Sequence, residues 1–229
     1  MDWWANALLI AGGYLLGSAP LTHLLAARRG VDLRRVGSGN VGGSNLWQSV
    51  GPREGALGGL ADILKGVVPV VIGRGLGFDL TASAAAGVAA AAGQTWPVFL
   101  RFDGGRGNSA GLGMAIAASP IAFAISLIPA TLGSAWKGLP ALLARRGPAG
   151  PERWRFRASS RSVPLGLLGT FTLMPLLSWR LHDPPGLTWA LLAVLALIVA
   201  RRLTAGGRDH RPRVPATLWE RLLFDRSRP

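Results

Sequence analysis

The residues best suited to bind an anion lie in one short segment, the first glycine loop, residues 37–45. Four glycines, two serines and two asparagines occur there, in the order Gly-Ser-Gly-Asn-Val-Gly-Gly-Ser-Asn. Glycine allows close approach of the backbone and positive φ, and successive N–H groups in such a turn form an anion-binding concavity. A flexible polar loop explains this composition equally well. The candidate ligand-binding residues are Gly37, Ser38, Gly39, Asn40, Ser44 and Asn45.

A second glycine loop, residues 102–108, reads Phe-Asp-Gly-Gly-Arg-Gly-Asn and leads into an apolar segment predicted to be helical. Helix N-termini bind anions, and an arginine adds a planar, bidentate donor set. This short motif is weak evidence alone, but the two loops together predict one phosphate site on one membrane face. The candidate residues of this site in the second glycine loop are Gly104, Gly105, Arg106, Gly107 and Asn108.

Two charges interrupt an apolar segment. Asp62 and Lys65 are three residues apart and therefore share a helix face. Charges within a membrane span are costly and are usually paired or functional. We predict mainly a mutual salt bridge, and we interpret His23, near the end of another apolar segment, as structural rather than as a catalytic base.

The elements that must position these residues are membrane helices. The 229 residues are 49% hydrophobic and only 16% charged, against about a quarter charged in soluble domains. Apolar runs alternate with arginine-bearing segments, and apolar runs in lipid must satisfy their backbone groups internally as helices. We predict an all-α, polytopic integral membrane protein. Cysteine is absent, which excludes disulfides and thiolate metal sites.

Six apolar segments are long enough to consider as spans. The fourth exceeds one crossing, and a break at Ser119-Pro120, where proline can open a new helix, gives about seven helices. This division puts all but three of the 25 lysines and arginines on one side, which predicts an external N-terminus and a cytoplasmic C-terminus. The segments are Trp3–Ala27, Gly55–Gly73, Leu80–Leu100, Ser109–Leu143, Val163–Trp179 and Leu187–Ala200.

The basic residues follow from this topology. The net charge of +14 is explained by cytoplasmic loops, so we predict no nucleic-acid partner. Residues 1–203 are predicted to form one transmembrane domain, and residues 204–229 a basic cytoplasmic tail.

Six short motifs occur in order along the chain: residues 17–20 (GSAP), 30–34 (GVDLR), 37–45, 62–66 (DILKG), 96–99 (WPVF) and 102–107. Together they resemble the PlsY family, the acyl-phosphate:glycerol-3-phosphate acyltransferases of bacterial phospholipid synthesis. The resemblance is good over about residues 10–120. It implies a multi-pass protein of the bacterial plasma membrane, with acyl phosphate and glycerol 3-phosphate as substrates, membrane lipids as surroundings and no metal or cofactor. It also implies catalytic roles for Ser38, on substrate phosphate or hydroxyl, and Arg106, on phosphate charge.

The chain also departs from the family pattern. Ser44 replaces a threonine and Arg106 a lysine. Other polar motif residues are replaced by Gln48, Gln94, Asp103, Pro164 and Arg201. Two alternatives therefore stay open beside a membrane acyltransferase: a non-catalytic relative that binds an anionic lipid or phosphate metabolite, and a small transporter.

Overall fold

The computed structural model describes residues 2–129, 131–132, 162–204 and 219. All regular structure in these ranges is helical, as predicted. A 3-10 turn at Val98–Leu100 links two of the α-helices. The helices are α1 Trp3–Ser18, α2 Leu21–Ala27, α3 Gly43–Ser49, α4 Pro52–Gly75, α5 Leu80–Thr95, α6 Asn108–Ala118, α7 Pro120–Ser126, α8 Ser162–Arg180 and α9 Pro185–Thr204.

Three helical stretches of the described chain are long and apolar enough to cross a membrane: Trp3–Ala27, Pro52–Gly75 and Pro185–Thr204. Large apolar side chains such as Leu8, Leu60 and Trp189 are exposed on them. Extensive exposed apolar surface indicates contact with a membrane or a partner, which agrees with membrane insertion. Seven crossings and the orientation of the termini stay predictions, and most of the basic tail lies outside the described residues.

Proline determines where the apolar segments break. α6 ends at Ala118 and α7 begins at Pro120, which confirms the predicted break because proline has no N–H to continue a helix. The Ser119 hydroxyl donates to Asp183 Oδ2 at 2.7 Å and ties this break to the α8–α9 connection. Residues 133–143, predicted to continue this segment, lie outside the described residues.

The third apolar segment differs from the prediction. Helix α5 ends at Thr95 rather than continuing to Leu100, because Pro97 disfavours helical backbone geometry at the residue before it. After the 3-10 turn, Arg101 and Phe102 both adopt left-handed conformations, with φ of 53° and 62°. These two residues reverse the chain direction into the second glycine loop.

Small residues allow the helices to pack closely. A Cβ at Gly17 of α1 would overlap the Ala90 carbonyl oxygen of α5, and one at Gly66 of α4 would overlap the Ala110 carbonyl oxygen of α6. Close approach through glycine and alanine is typical of membrane helix interfaces. These contacts fix α4, α5 and α6, and the second glycine loop runs between α5 and α6.

The charged pair within α4 is buried. Lys65 Nζ donates to Asp62 Oδ1 at 2.8 Å, and the Thr22 hydroxyl donates to Asp62 Oδ2 at 2.9 Å. The predicted salt bridge is thus confirmed, and Thr22 joins it to α2. Both oxygens of the carboxylate have partners, as a buried charge requires.

Candidate active site

The first glycine loop is built around the side chain of Asn45, which is only 1% exposed. Its Oδ1 accepts from the Ser38 N–H and the Ser49 hydroxyl, both at 3.2 Å. Its Nδ2 lies 2.9–3.1 Å from the carbonyl oxygens of Leu33, Val36 and Asn40. Both polar atoms of this amide are engaged by the loop and by the residues that flank it, so Asn45 determines the shape of the backbone around Ser38.

Two glycines in this loop adopt conformations that other residues avoid. Gly37 and Gly39 have φ of 58° and 70°, in the left-handed region that favours glycine. A Cβ at Gly37 would also overlap Asn45 Oδ1. Ser38 and Ser44 are both exposed, so the loop presents two hydroxyls outward from a backbone fixed by buried contacts.

The second glycine loop is held by the end of α5. The Gly105 N–H donates to the Gln94 carbonyl oxygen at 2.9 Å. Gln94 Oε1 accepts the Ala110 N–H, in the first turn of α6, at 3.1 Å. Gln94 is 6% exposed, and it caps a helix whose first N–H groups have no partner within the helix.

The N-terminus of α6 offers polar groups for a ligand. Gly107 precedes the helix with φ of 73°, and Arg106 before it is half-buried. The Asn108 Oδ1 is buried and accepts no hydrogen bond from the part of the chain that the structure describes. Buried acceptors normally have a donor, so this atom is a candidate acceptor for a ligand hydroxyl or a water.

Arg201, at the end of α9, also contacts the second glycine loop. Its Nε donates to the Gly105 carbonyl oxygen at 3.2 Å and its Nη2 to that of Gly104 at 3.0 Å. The same Nη2 lies 3.6 Å from Asp103 Oδ1. Sequence reasoning treated Asp103 and Arg201 as separate departures and missed this contact. Their opposite charges were the available signal.

The two glycine loops lie against each other. A Cβ at Gly105 would come 2.7 Å from the Val41 carbonyl oxygen of the first loop. The pKa of Arg34, just before the first loop, is raised mainly by its hydrogen bond to Asp32, and the charge of Asp103 in the second loop adds to this shift. The candidates from distant parts of the sequence therefore form one region.

A basic cluster precedes the first loop. Arg34 holds Asp32 through its Nε at 3.0 Å and its Nη2 at 3.1 Å. This hydrogen bonding holds the pKa of the Asp32 carboxyl below its usual range. His23 Nδ1 lies 4.0 Å from the same carboxylate, a contact that fits the structural interpretation of His23.

A known family matches this chain. The family described as Glycerol-3-phosphate acyltransferase matches residues 7–141. Glycerol-3-phosphate acyltransferase 5 of Dehalococcoides mccartyi strain 195 is 32% identical over 96% of this chain and 88% of its own length. The chain belongs to the glycerol-3-phosphate acyltransferase family.

Other members of the glycerol-3-phosphate acyltransferase family agree in sequence and in fold. The Rubrobacter xylanophilus protein is 48% identical over 50% of this chain and 58% of its own. The crystal structure of PlsY, an integral membrane glycerol 3-phosphate acyltransferase, in its glycerol 3-phosphate form has a TM-score of 0.69 at 29% identity. It covers 86% of this chain and 88% of the PlsY chain. The lysophosphatidic acid form gives a TM-score of 0.70 at 27% identity with the same coverage.

Proposed function

We propose that this protein transfers a fatty acyl group from acyl phosphate to the sn-1 hydroxyl of glycerol 3-phosphate, giving lysophosphatidic acid and inorganic phosphate. The observation that carries the proposal is the contact between two glycine loops, one of which leads into a helix N-terminus. Both substrates carry phosphate, and such backbone is suited to bind it. Membership of the glycerol-3-phosphate acyltransferase family supports the acceptor, and the resemblance to PlsY supports the donor.

The reaction needs positioning more than activation. The acceptor hydroxyl oxygen attacks the acyl carbonyl carbon, the bond from that carbon to the phosphate oxygen breaks, and the hydroxyl proton passes to the departing phosphate. Because the acyl group is already activated, the protein mainly orients both substrates and stabilises developing charge. No covalent acyl-enzyme, metal or cofactor is required by these steps.

Within this proposal, Arg106 neutralises phosphate charge, and Ser38 and Ser44 donate hydroxyl hydrogen bonds to substrate. Arginine in place of lysine keeps the charge and adds a planar donor set. The buried Asn108 Oδ1 accepts from a glycerol hydroxyl, and Asn40 supplies a further polar contact. The glycines give the backbone its close approach, at positions 37, 39, 104, 105 and 107.

For Asn45 we propose a supporting role instead of a direct contact with substrate. We assign it to holding the loop rather than to binding substrate directly, because its amide is fully engaged by two residues of the loop and three residues that flank it. Its effect on substrate passes through the backbone at Ser38.

We further propose seven membrane crossings in the bacterial plasma membrane, with the N-terminus outside and both glycine loops at the cytoplasmic face. The distribution of lysine and arginine supports this orientation. Acyl chains then reach the site from the lipid bilayer. A transporter is disfavoured, because Asp62, Lys65 and Thr22 satisfy one another in a buried cluster instead of lining a described pathway.

Phosphate release by purified, lipid-reconstituted protein tests the function. With acyl phosphate supplied, release should depend on glycerol 3-phosphate, and Ser38→Ala and Arg106→Ala should each lower it about 10²–10³-fold, the scale of one lost transition-state contact. Arg53→Ala, an exposed arginine on α4, is the matched control and should keep full activity.

Two results would contradict this proposal. Folded wild-type protein that binds glycerol 3-phosphate but releases no phosphate would favour the non-catalytic relative. Phosphate release that proceeds equally without the acceptor would indicate a hydrolase instead.

A further inference from the structure

The second glycine loop is held from outside by the guanidinium of Arg201. One side chain donates to two successive carbonyl oxygens, those of Gly104 and Gly105, at 3.0 and 3.2 Å. The Arg201 side chain is 15% exposed, so these hydrogen bonds are largely shielded from water. The planar guanidinium can reach both oxygens at once, which a lysine ammonium on a flexible stem does not reproduce.

These contacts determine the orientation of two peptide planes. In a trans peptide the C=O and the following N–H point in opposite directions. The Gly105 carbonyl faces Arg201, so the N–H of Arg106 is directed away from α9. The Gly104 carbonyl also faces Arg201, and its paired N–H, on Gly105, donates to the Gln94 carbonyl oxygen at 2.9 Å. Arg201 thereby directs the Arg106 N–H away from α9, while the Gly105 N–H is engaged by Gln94.

Asp103 holds the guanidinium in this place. Its Oδ1 lies 3.6 Å from Arg201 Nη2. A basic residue at position 103 would bring a like charge to the same guanidinium, so aspartate at 103 and arginine at 201 are compatible as a pair. The two departures from the family pattern compensate each other in charge.

The next residue fixes the end of α9. Arg202 is 2% exposed, and its Nη2 donates to the Pro164 carbonyl oxygen in the first turn of α8 at 3.0 Å. Consecutive arginines therefore connect α9 both to the second glycine loop and to α8.

We propose that Arg201, held by Asp103, is a positioning residue for phosphate binding in this chain: it orients the Gly105–Arg106 peptide so that the Arg106 N–H points toward the substrate phosphate. The inference rests on the proposed function. The two residues that carry this role, Asp103 and Arg201, both differ from the family pattern.

Steady-state kinetics of the lipid-reconstituted full chain separate positioning from folding. Arg201→Gln should raise KM for glycerol 3-phosphate or acyl phosphate about tenfold, the effect of losing a hydrogen bond from a charged donor. kcat of the folded fraction should stay within about threefold, because binding is lost equally in ground and transition states. Asp103→Asn should raise KM less, since the hydrogen bonds to the two carbonyls remain. Arg180→Gln, at an exposed arginine that ends α8, is the matched control.

Calorimetric titration with glycerol 3-phosphate and with inorganic phosphate tests the same inference without turnover. Weaker binding to Arg201→Gln than to wild type supports the positioning role of Arg201, whether or not the wild type transfers acyl groups. Absence of acyl transfer by the wild type would overturn only the proposed function. Unchanged KM and unchanged binding would overturn the role of Arg201, as would a lower folded fraction with unchanged KM. If Arg201→Gln does not fold, Arg201→Lys decides: it keeps the charge beside Asp103, and an unaltered KM with it would refute a requirement for the planar guanidinium.

Discussion

The two glycine loops are similar in composition but are held by different means. In the first loop, residues 37–45, the supporting amide of Asn45 belongs to the loop itself and contacts residues at most 12 positions away. In the second loop, residues 102–108, the supports come from α5 through Gln94 and from α9 through Arg201, 96 positions from Gly105. The first loop is thus shaped locally and the second by tertiary packing.

This difference has a consequence for function. A loop that carries its own support can keep its shape as long as its own sequence is intact. The second loop depends on the relative placement of three helices, α5, α6 and α9. Changes in distant parts of the chain should therefore alter the second loop while leaving the first unchanged.

Gly37→Ala should have the largest effect among substitutions that test this comparison. The added Cβ overlaps Asn45 Oδ1, so it disturbs the group on which the whole loop depends. It also places alanine at φ of 58°, which itself costs about 1–2 kcal/mol. We expect acyl transfer to fall about 10²-fold or more, measured as acceptor-dependent phosphate release.

The chain supplies a matched control for this change. Gly30 has a φ of 71°, and a Cβ there meets nothing within 4 Å. Gly30→Ala therefore pays only the conformational penalty, about 1–2 kcal/mol of stability, and should keep most of its activity. Equal losses of activity in the two variants would show that backbone strain, rather than the Asn45 support, determines the shape of the loop.

Gln94→Leu tests the tertiary support of the first turn of α6, directly after the second loop, and should have an intermediate effect. It leaves the buried Ala110 N–H without its acceptor, which costs about 1–3 kcal/mol, seen as a lower midpoint of thermal unfolding. KM for a phosphate-bearing substrate should also rise, because α6 begins at this loop. Gln94→His restores a nitrogen acceptor when the imidazole is neutral, and it should recover part of both quantities. No recovery with histidine would argue that the amide acts through another contact.

Sequence predicted those features that depend on near neighbours. Pro120 breaks a helix through its own ring, and Asp62 and Lys65 pair because three residues separate them on one helix. The apolar run from Leu80 predicts a helix as far as Leu100, but α5 ends at Thr95, because Pro97 disfavours helical geometry at the residue before it. Gln94 and Arg201 looked like lost polar groups. Their partners are backbone atoms brought near by packing, and no pattern of side-chain types along the chain records a contact with a distant carbonyl.

The smallest expected effect concerns the basic segment before the first loop. Arg34 lowers the folded-state pKa of Asp32 from its ordinary value of 3.8, so the ionised carboxylate stabilises the folded state. That contribution is complete above the unfolded-state pKa, near 4, and is lost as the pH falls through the lower folded-state pKa. For a partly exposed ion pair it amounts to about 1 kcal/mol or less. The midpoints of thermal unfolding of wild type and Asp32→Asn should therefore differ at pH 6 and converge towards pH 3. A difference in midpoint that stays constant over this range would exclude Asp32 ionisation as its cause.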